Sequence, residues 1–493
     1  MRRALSSTIF ARILMTPIGL VVSVSCGKSV MVPPLCSPLN IQHEEPRGTR
    51  NFFVFGTSPH TVDCRYRRYK TKGWTYLVAL LLFSIKLPYA VGDKNIENDI
   101  GNSIKIVDEP SRILLSQGLE NFTLNLFKET VNAAGSRLNL VLSPFSIWAL
   151  LVLLWEGSKG KTNEQLMNVL GLPSDRRLTI AGYRAIDEAL QVNTSTVSVE
   201  FVKAIFFDIN RPLKRDFEST AEHLYQCPTI SINFHKPVEA TRVINDWVKL
   251  NTHGKIPDLL LEEDLRDAQL VLANAVYFQG QWSLPFDRDL TTRESFYDED
   301  GKTIGEVDMM SSQGPYAFVA DQELDANVIE IPYGKENRLS MIVMLPRHGN
   351  KNSIDVILEK LPQRNFSRLI NDLAQSKSEY FGDDVDLRLP RFNVTSDFVM
   401  NVVLETMGLT DVFNENAADL SPISPHKIYL SRVIHKAVIV VDEEGTIATA
   451  ASGAALANKS RPPKFHANRP FIYIIHDKKS NTIVFAGKVF NPN

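Results

Sequence analysis

A stretch dominated by small residues follows a strand-like run near the C-terminus, and no other feature of the chain narrows its fold as far. Residues 437–441 have the apolar, β-branched character of a strand. Glu443-Glu444-Gly445 comes next, and then Thr446-Ile447-Ala448-Thr449-Ala450-Ala451-Ser452-Gly453-Ala454-Ala455-Leu456-Ala457. Such a segment has too little side chain to pack as an ordinary loop. Thr446, Ala448, Ala450 and Ser452 alternate, so on a strand they would share one face. A strand with so small a face could slide between two strands of an existing sheet without overpacking what lies beneath. The plainer alternative is a mobile Ala/Ser linker.

The rest of the chain has room for a large sheet. Its 493 residues, 44% hydrophobic and 22% charged, can bury a substantial core. Length alone suggests two or three domains, but large mixed folds break that rule. A formal net charge of -2 gives no broad attraction to nucleic acid or anionic membrane. Cys26, Cys36 and Cys64 lie in the N-terminal extension and only Cys227 lies beyond it, so no disulfide framework is expected there and Cys227 reads as a small packed residue.

Two short apolar runs stand before residue 110. The first, 9–24, follows Arg2 and Arg3; the second, 74–90, follows Arg65, Arg67, Arg68, Lys70 and Lys72. A basic flank, a short apolar stretch and small residues afterwards form the pattern of a secretory signal, and both runs are short for a membrane span. Both cannot be cleaved signals of one product, and Ala90 with Pro88 before it makes an imperfect cleavage site. Residues 1–110 are expected to be signal, leader and a largely disordered extension, with one domain over 111–493. Five Asn-x-Ser/Thr sequons, at Asn121, Asn193, Asn365, Asn393 and Asn458, support export and glycosylation.

Within 111–493 no repeat or linker divides the chain. Leu114, Leu115, Leu119, Phe122 and Leu126 recur at helical spacing, and 146–156 and 163–170 also read as helix. Residues 271–278, 339–345, 385–389, 437–441, 471–475 and 482–485 read as strands. The two kinds do not alternate regularly, which predicts an α+β domain with helices grouped beside large sheets. Gly160-Lys161-Thr162 resembles the end of a phosphate-binding loop, but the glycine required five positions earlier is Trp155. No nucleophile elbow, zinc-protease helix or paired-cysteine metal spacing is present.

A series of ordered blocks over about 111–493 resembles the serpin family. Asn139 with Ser143-Pro144-Phe145-Ser146-Ile147 is similar to the family's shutter segment, and Gly157, Gly160, Thr162 and Gln165 match the family pattern after that segment. The block Asn274-Ala275-Val276-Tyr277-Phe278-Gln279-Gly280-Gln281-Trp282, with Pro285-Phe286, looks like the third strand of sheet A running into the breach. Leu389-Pro390-Arg391-Phe392, Met407-Gly408-Leu409, Ala418-Asp419-Leu420-Ser421, His435-Lys436-Ala437, Arg469-Pro470-Phe471 and Gly487-Lys488-Val489-Phe490-Asn491-Pro492 continue the match. The resemblance implies a serpin fold, with helices around three β-sheets and an exposed reactive-centre loop.

It also implies a mechanism. A target serine protease attacks a bait bond in the loop and forms an acyl-enzyme; the cleaved loop then inserts into sheet A before water releases the protease. In inhibitory relatives the hinge glutamate stands sixteen residues before the cleaved bond, which from Glu443 gives Lys459. The Phe opening a Phe-x-x-x-x-Pro-Phe block stands about six residues after that bond, and Phe465 again gives Lys459. Arg461 is followed by Pro462, a poor leaving position, so the reactive bond is read as Lys459-Ser460. A cationic lysine there calls for a carboxylate in the specificity pocket, hence an extracellular trypsin-like protease as partner. The hinge is read as Glu443, Gly445, Thr446, Ala448 and Ala450, and the shutter and breach as Ser143, Ser146, Asn274, His435 and Trp282. Ile447 departs from the family, where many inhibitory members carry Glu. No cofactor, metal, nucleic acid or membrane is implied, a secreted monomer is expected, and Arg176-Arg177 is a weak case for glycosaminoglycan binding. Asn458 lies one residue before the bait lysine, where a glycan would block the protease cleft. The alternative reading is a non-inhibitory serpin acting as carrier, chaperone or storage protein.

Overall fold

The computed structural model describes residues 9–16, 19–26, 51–58, 61–68, 109–135, 137–347, 353–379, 384–445 and 462–493. The chain divides into two units, Met1–Gly92 and Asp93–Asn493. In the first, Ile9–Thr16 pairs with Gly19–Cys26 and Asn51–Ser58 with Thr61–Arg68, each as an antiparallel hairpin. The apolar run 9–24 falls on the first hairpin; the run 74–90 lies outside the described residues.

The second unit holds three sheets. The six-stranded one runs Ala317–Asp321, Ala326–Pro332, Leu339–Pro346, Phe471–Asp477, Thr482–Val489, Leu140–Leu142, all antiparallel. Its middle strands are buried along their whole length, which accounts for their largely apolar sequence, broken by the buried Ser340, His476, Asp477, Thr482 and Lys488. The four-stranded sheet is ordered Lys464–His466, Val385–Pro390, Thr303–Gly314, Thr292–Tyr297. The five-stranded sheet is ordered Phe392–Val399, Arg432–Val441, Leu270–Gly280, Val197–Asp208, Thr229–Ile232.

Helices lie against these sheets. Pro144–Glu156 is almost wholly buried; Pro144 opens it at a position where a missing N–H costs nothing. Glu109–Ala134, Gly160–Leu170, Arg176–Leu190 and Arg215–Tyr225 complete the main core with it. A separate apolar cluster sits on the outer face of the five-stranded sheet. There Ile244 and Val248 of helix Pro237–Asn251 cover Phe206, Ala273 and Ile434. The α+β reading holds, and the expected strands are present but longer. The strand read from residue 437 begins at Arg432. Its first half gave no strand signal because Arg432, His435 and Lys436 are polar. Among the described residues no helix is long and apolar enough to cross a membrane, and no cluster of three His, Cys, Asp or Glu side chains could hold a metal ion.

Candidate functional site

The five-stranded sheet contains a parallel seam. Arg432–Val441 pairs in parallel with Leu270–Gly280, from Arg432 opposite Val271 to Val438 opposite Tyr277. Each of the two strands is antiparallel to its outer neighbour. The ladder ends at Tyr277 and Val438, although both strands run three residues further. A chain that turns back beyond Gly445 runs antiparallel to both strands of the seam. Inserted there, it would replace one parallel pairing by two antiparallel ones, the pattern slightly more stable per residue.

The turn at the open end of the seam is held firmly. Gly445 has φ +120°, and a Cβ on it would collide with the carbonyl oxygen of Gly280, so only glycine fits. The backbone N–H groups of Trp282 and Phe286 donate to the carbonyls of Glu444 (3.0 Å) and Glu443 (2.8 Å). The Trp282 indole Nε1 donates to the Asp442 carbonyl at 2.9 Å, and its ring stacks on Tyr333 with centroids 4.2 Å apart. Glu443 is only 1% exposed. Its carboxylate accepts from Arg391 Nε at 2.8 Å to each oxygen, from Arg391 Nη2 at 2.6 Å and from Thr291 Oγ1 at 2.6 Å. Burial alone would raise its pKa, but the hydrogen bonds from Arg391 and Thr291 outweigh that and hold the carboxyl below its ordinary value.

Beyond the hinge, residues 446–461 lie outside the described set, and with them Thr446, Ala448, Ala450, Asn458, Lys459 and Ser460. The chain resumes on a different sheet. Asp386 N donates to the Pro463 carbonyl at 2.9 Å, and Lys464–His466 adds in parallel to Val385–Pro390 as an edge strand. The small-residue segment is thus tethered at one end to the five-stranded sheet and at the other to the four-stranded sheet.

Beneath the seam lies a buried polar cluster. His435 and Asn274 face each other across it in register and both point inward. The Ser143 N–H donates to His435 Nε2 at 3.0 Å, so Nδ1 carries the ring proton and donates to Asn274 Oδ1. Burial pushes the imidazole pKa down to about 3. Ser146 is buried too, but its hydroxyl turns back to the Ser143 carbonyl at 2.8 Å and does not touch the histidine. Of the four residues expected to cluster, three bond directly and the fourth buttresses Ser143.

Three contributors escaped the sequence reading. Arg391 stood in a matched block, but its pairing with Glu443 spans 52 positions and left no local signal. The same holds for Thr291 and Tyr333. Arg176 pairs with Glu156 and Arg177 with Asp175, and both arginine side chains remain exposed. Cys227 is buried, and burial raises its thiol to about 12, as an inert core residue requires. Asn121, Asn193, Asn365 and Asn393 are all exposed.

A sheet with a parallel seam, a glycine-turned hinge at its mouth and a small-residue segment strung to a second sheet defines a protein built around a tethered loop. The family described as Serpin (serine protease inhibitor) matches residues 117–492, and the chain belongs to it. Serpin B11 of Homo sapiens is 33% identical over 399 residues, 77% of this chain and 99% of that protein. Antichymotrypsin-2 of Bombyx mori is 31% identical over 384 residues, 77% of this chain and 98% of that protein. A solved structure of thyroxine-binding globulin in complex with thyroxine superposes with TM-score 0.66 at 25% identity, covering 77% of this chain and 99% of that one. The five-stranded sheet is therefore the family's sheet A.

Proposed function

We propose that this serpin is a secreted suicide inhibitor of trypsin-like serine proteases, attacked at Lys459-Ser460 and trapping the protease by inserting residues 446–457 into the seam of sheet A. The observation that carries the proposal is the parallel seam lying directly below the Gly445 turn. It offers the cleaved segment an antiparallel place between two strands whose ladder already stops short of their ends. The segment's small alternate residues suit the inward face, where His435 and Asn274 leave little space. The trap works by rate. Insertion has to outrun hydrolysis of the acyl-enzyme, and the strand pairing gained supplies the driving force. Export rests on the signal-like runs and the exposed sequons.

Incubation with trypsin followed by a denaturing gel tests this reading. A covalent band at the summed mass supports it. A clipped chain beside fully active trypsin supports instead a serpin used as a carrier, a use compatible with the likeness to thyroxine-binding globulin bound to thyroxine.

A further inference from the structure

Two of the exposed sequons stand in one row of sheet A, on either side of the seam. Asn393 pairs with Val440 of Arg432–Val441, and Gln279 of Leu270–Gly280 pairs with Ser198 of Val197–Asp208. Asn193 then bridges Ser198 in the antiparallel sense. The parallel ladder keeps one offset from Arg432 opposite Val271 to Val438 opposite Tyr277; continued by two residues, it sets Val440 opposite Gln279. The row therefore reads Asn393, Val440, seam, Gln279, Ser198, Asn193. Paired residues in neighbouring strands project from the same face of a sheet. Here that face is the outer one: Val440 is exposed, whereas Val441 and Gly280, the next residues along the two banks, are buried.

The row crosses the seam at its mouth, beyond the point where the ladder stops. With strands about 4.8 Å apart, Asn393 lies roughly 5 Å outside one bank and Asn193 roughly 10 Å outside the other. Both sequons are open to solvent at the residues that matter for modification. Asn393 and Thr395 are exposed on this face, and Asn193 and Ser195 are exposed in the turn that leads into Val197–Asp208. Asn121, on helix Glu109–Ala134, is outside the row.

We propose that glycans on Asn193 and Asn393 fence the mouth of the seam, barring the loop of a second copy while leaving the chain's own loop free to enter. The inference rests on the export and insertion readings and adds their regulation. An N-linked glycan is bulky and hydrated. Two of them, rooted on the outer face on both sides of the gap, occupy the space that a second globular body has to enter to bring its residues 446–457 to the gap. The chain's own segment starts from Gly445, which already bridges Gln281 and Asp442 at the mouth, so it never crosses the fence. A seam that accepts a strand from its own chain would otherwise accept the identical strand of a neighbour, and such head-to-tail contacts build open chains of molecules.

The test uses the full chain secreted from a glycosylating host, with occupancy of each sequon read by peptide mass. Wild type, Asn193→Gln with Asn393→Gln, and Asn121→Gln are warmed below the unfolding midpoint, and polymers are followed on native gels. The double variant is expected to polymerise several-fold faster than wild type, and Asn121→Gln at the wild-type rate. Made in a host that adds no glycans, wild type and double variant should polymerise equally fast, because the sugar and not the asparagine is the barrier. A synthetic peptide of residues 446–457, far smaller than a second copy, should enter the glycosylated and unglycosylated proteins at the same rate. Empty sequons at both positions, equal polymerisation of glycosylated wild type and double variant, or the same acceleration by Asn121→Gln would each overturn the fence. Absence of polymers from every form would overturn it too, since the mouth would then admit no second strand. Trypsin tells the two readings apart: failure of every form to give a covalent complex removes the inhibitor reading, while the polymerisation rates still decide the fence.

Discussion

Arg391 holds the carboxylate of Glu443 from 52 positions away in sequence, with Nε 2.8 Å from both oxygens. It thereby anchors the residues just before the small-residue segment to the end of Val385–Pro390, a strand of the other sheet, beside which the chain resumes at Lys464–His466. Asp308 lies 3.5 Å from Arg391 Nη1 and steadies it from the opposite side. The hinge is a fixed pivot and not a frayed strand end.

Replacing Glu443 by Gln keeps the shape and removes the charge. One side of a buried charged hydrogen bond is lost, and native stability should fall by about 1–3 kcal/mol, nearer the lower figure because Arg391 can turn to water. Thermal unfolding of the variant measures the loss. Glu443→Lys places two cations together and should form polymers on mild warming. Native gels showing monomer alone, with an unchanged unfolding midpoint, would count against the pivot.

His435 should make stability depend on acid in a definable window. Unfolded, the imidazole takes up a proton below about pH 6.5; folded, it stays neutral until about pH 3. Between the two the unfolded chain binds the extra proton. The contribution of His435 is therefore complete above pH ~6.5 and is lost as pH falls towards 3, at up to about 1.4 kcal/mol per pH unit. His435→Ala should cost about 1–3 kcal/mol at neutral pH by stripping Ser143 N–H and Asn274 of their partner. The deficit should shrink in acid. Denaturant titrations of both proteins at several pH values decide it; parallel stability curves would contradict the assignment.

Much of this arrangement was legible in the sequence. Glu443, Gly445, Asn274 and His435 could be placed because their blocks are contiguous and carry distinctive residues, and Trp282 and Ser143 followed from the same blocks. The seam itself was not legible, since which strands become neighbours depends on pairings between residues about 160 positions apart. Arg391 and Thr291 were invisible for the same reason: a lone polar residue on a strand end or loop looks like solvated surface until its partner is brought to it. The start of Arg432–Val441 was missed because His435 is polar yet faces inward and Lys436 is charged yet nearly buried, so the period of two never showed.

The hinge alternation carries its own test. Ala448 should enter the seam early and face inward. Ala448→Glu would bury a carboxylate with no partner, at a cost on the order of several kcal/mol. Insertion then slows, deacylation wins, and the inhibitor turns into a substrate. The stoichiometry of inhibition against trypsin should rise well above one; a ratio that stays near one would remove Ala448 from the inserting face.

The two basic residues near the bond should behave differently. Lys459→Ala should lower the second-order rate constant for trypsin by orders of magnitude, while Arg461→Ala, next to Pro462, should change it little. Equal losses in the two variants would misplace the bait.

The most direct measurement of the central claim is the mass of what trypsin leaves behind. After a short incubation at equal concentrations, the mixture is denatured and the released peptide weighed. A trapping serpin cut at Lys459-Ser460 gives a covalent complex together with a free fragment of residues 460–493. A fragment beginning elsewhere, or that same fragment beside uncomplexed and active trypsin, would contradict the account.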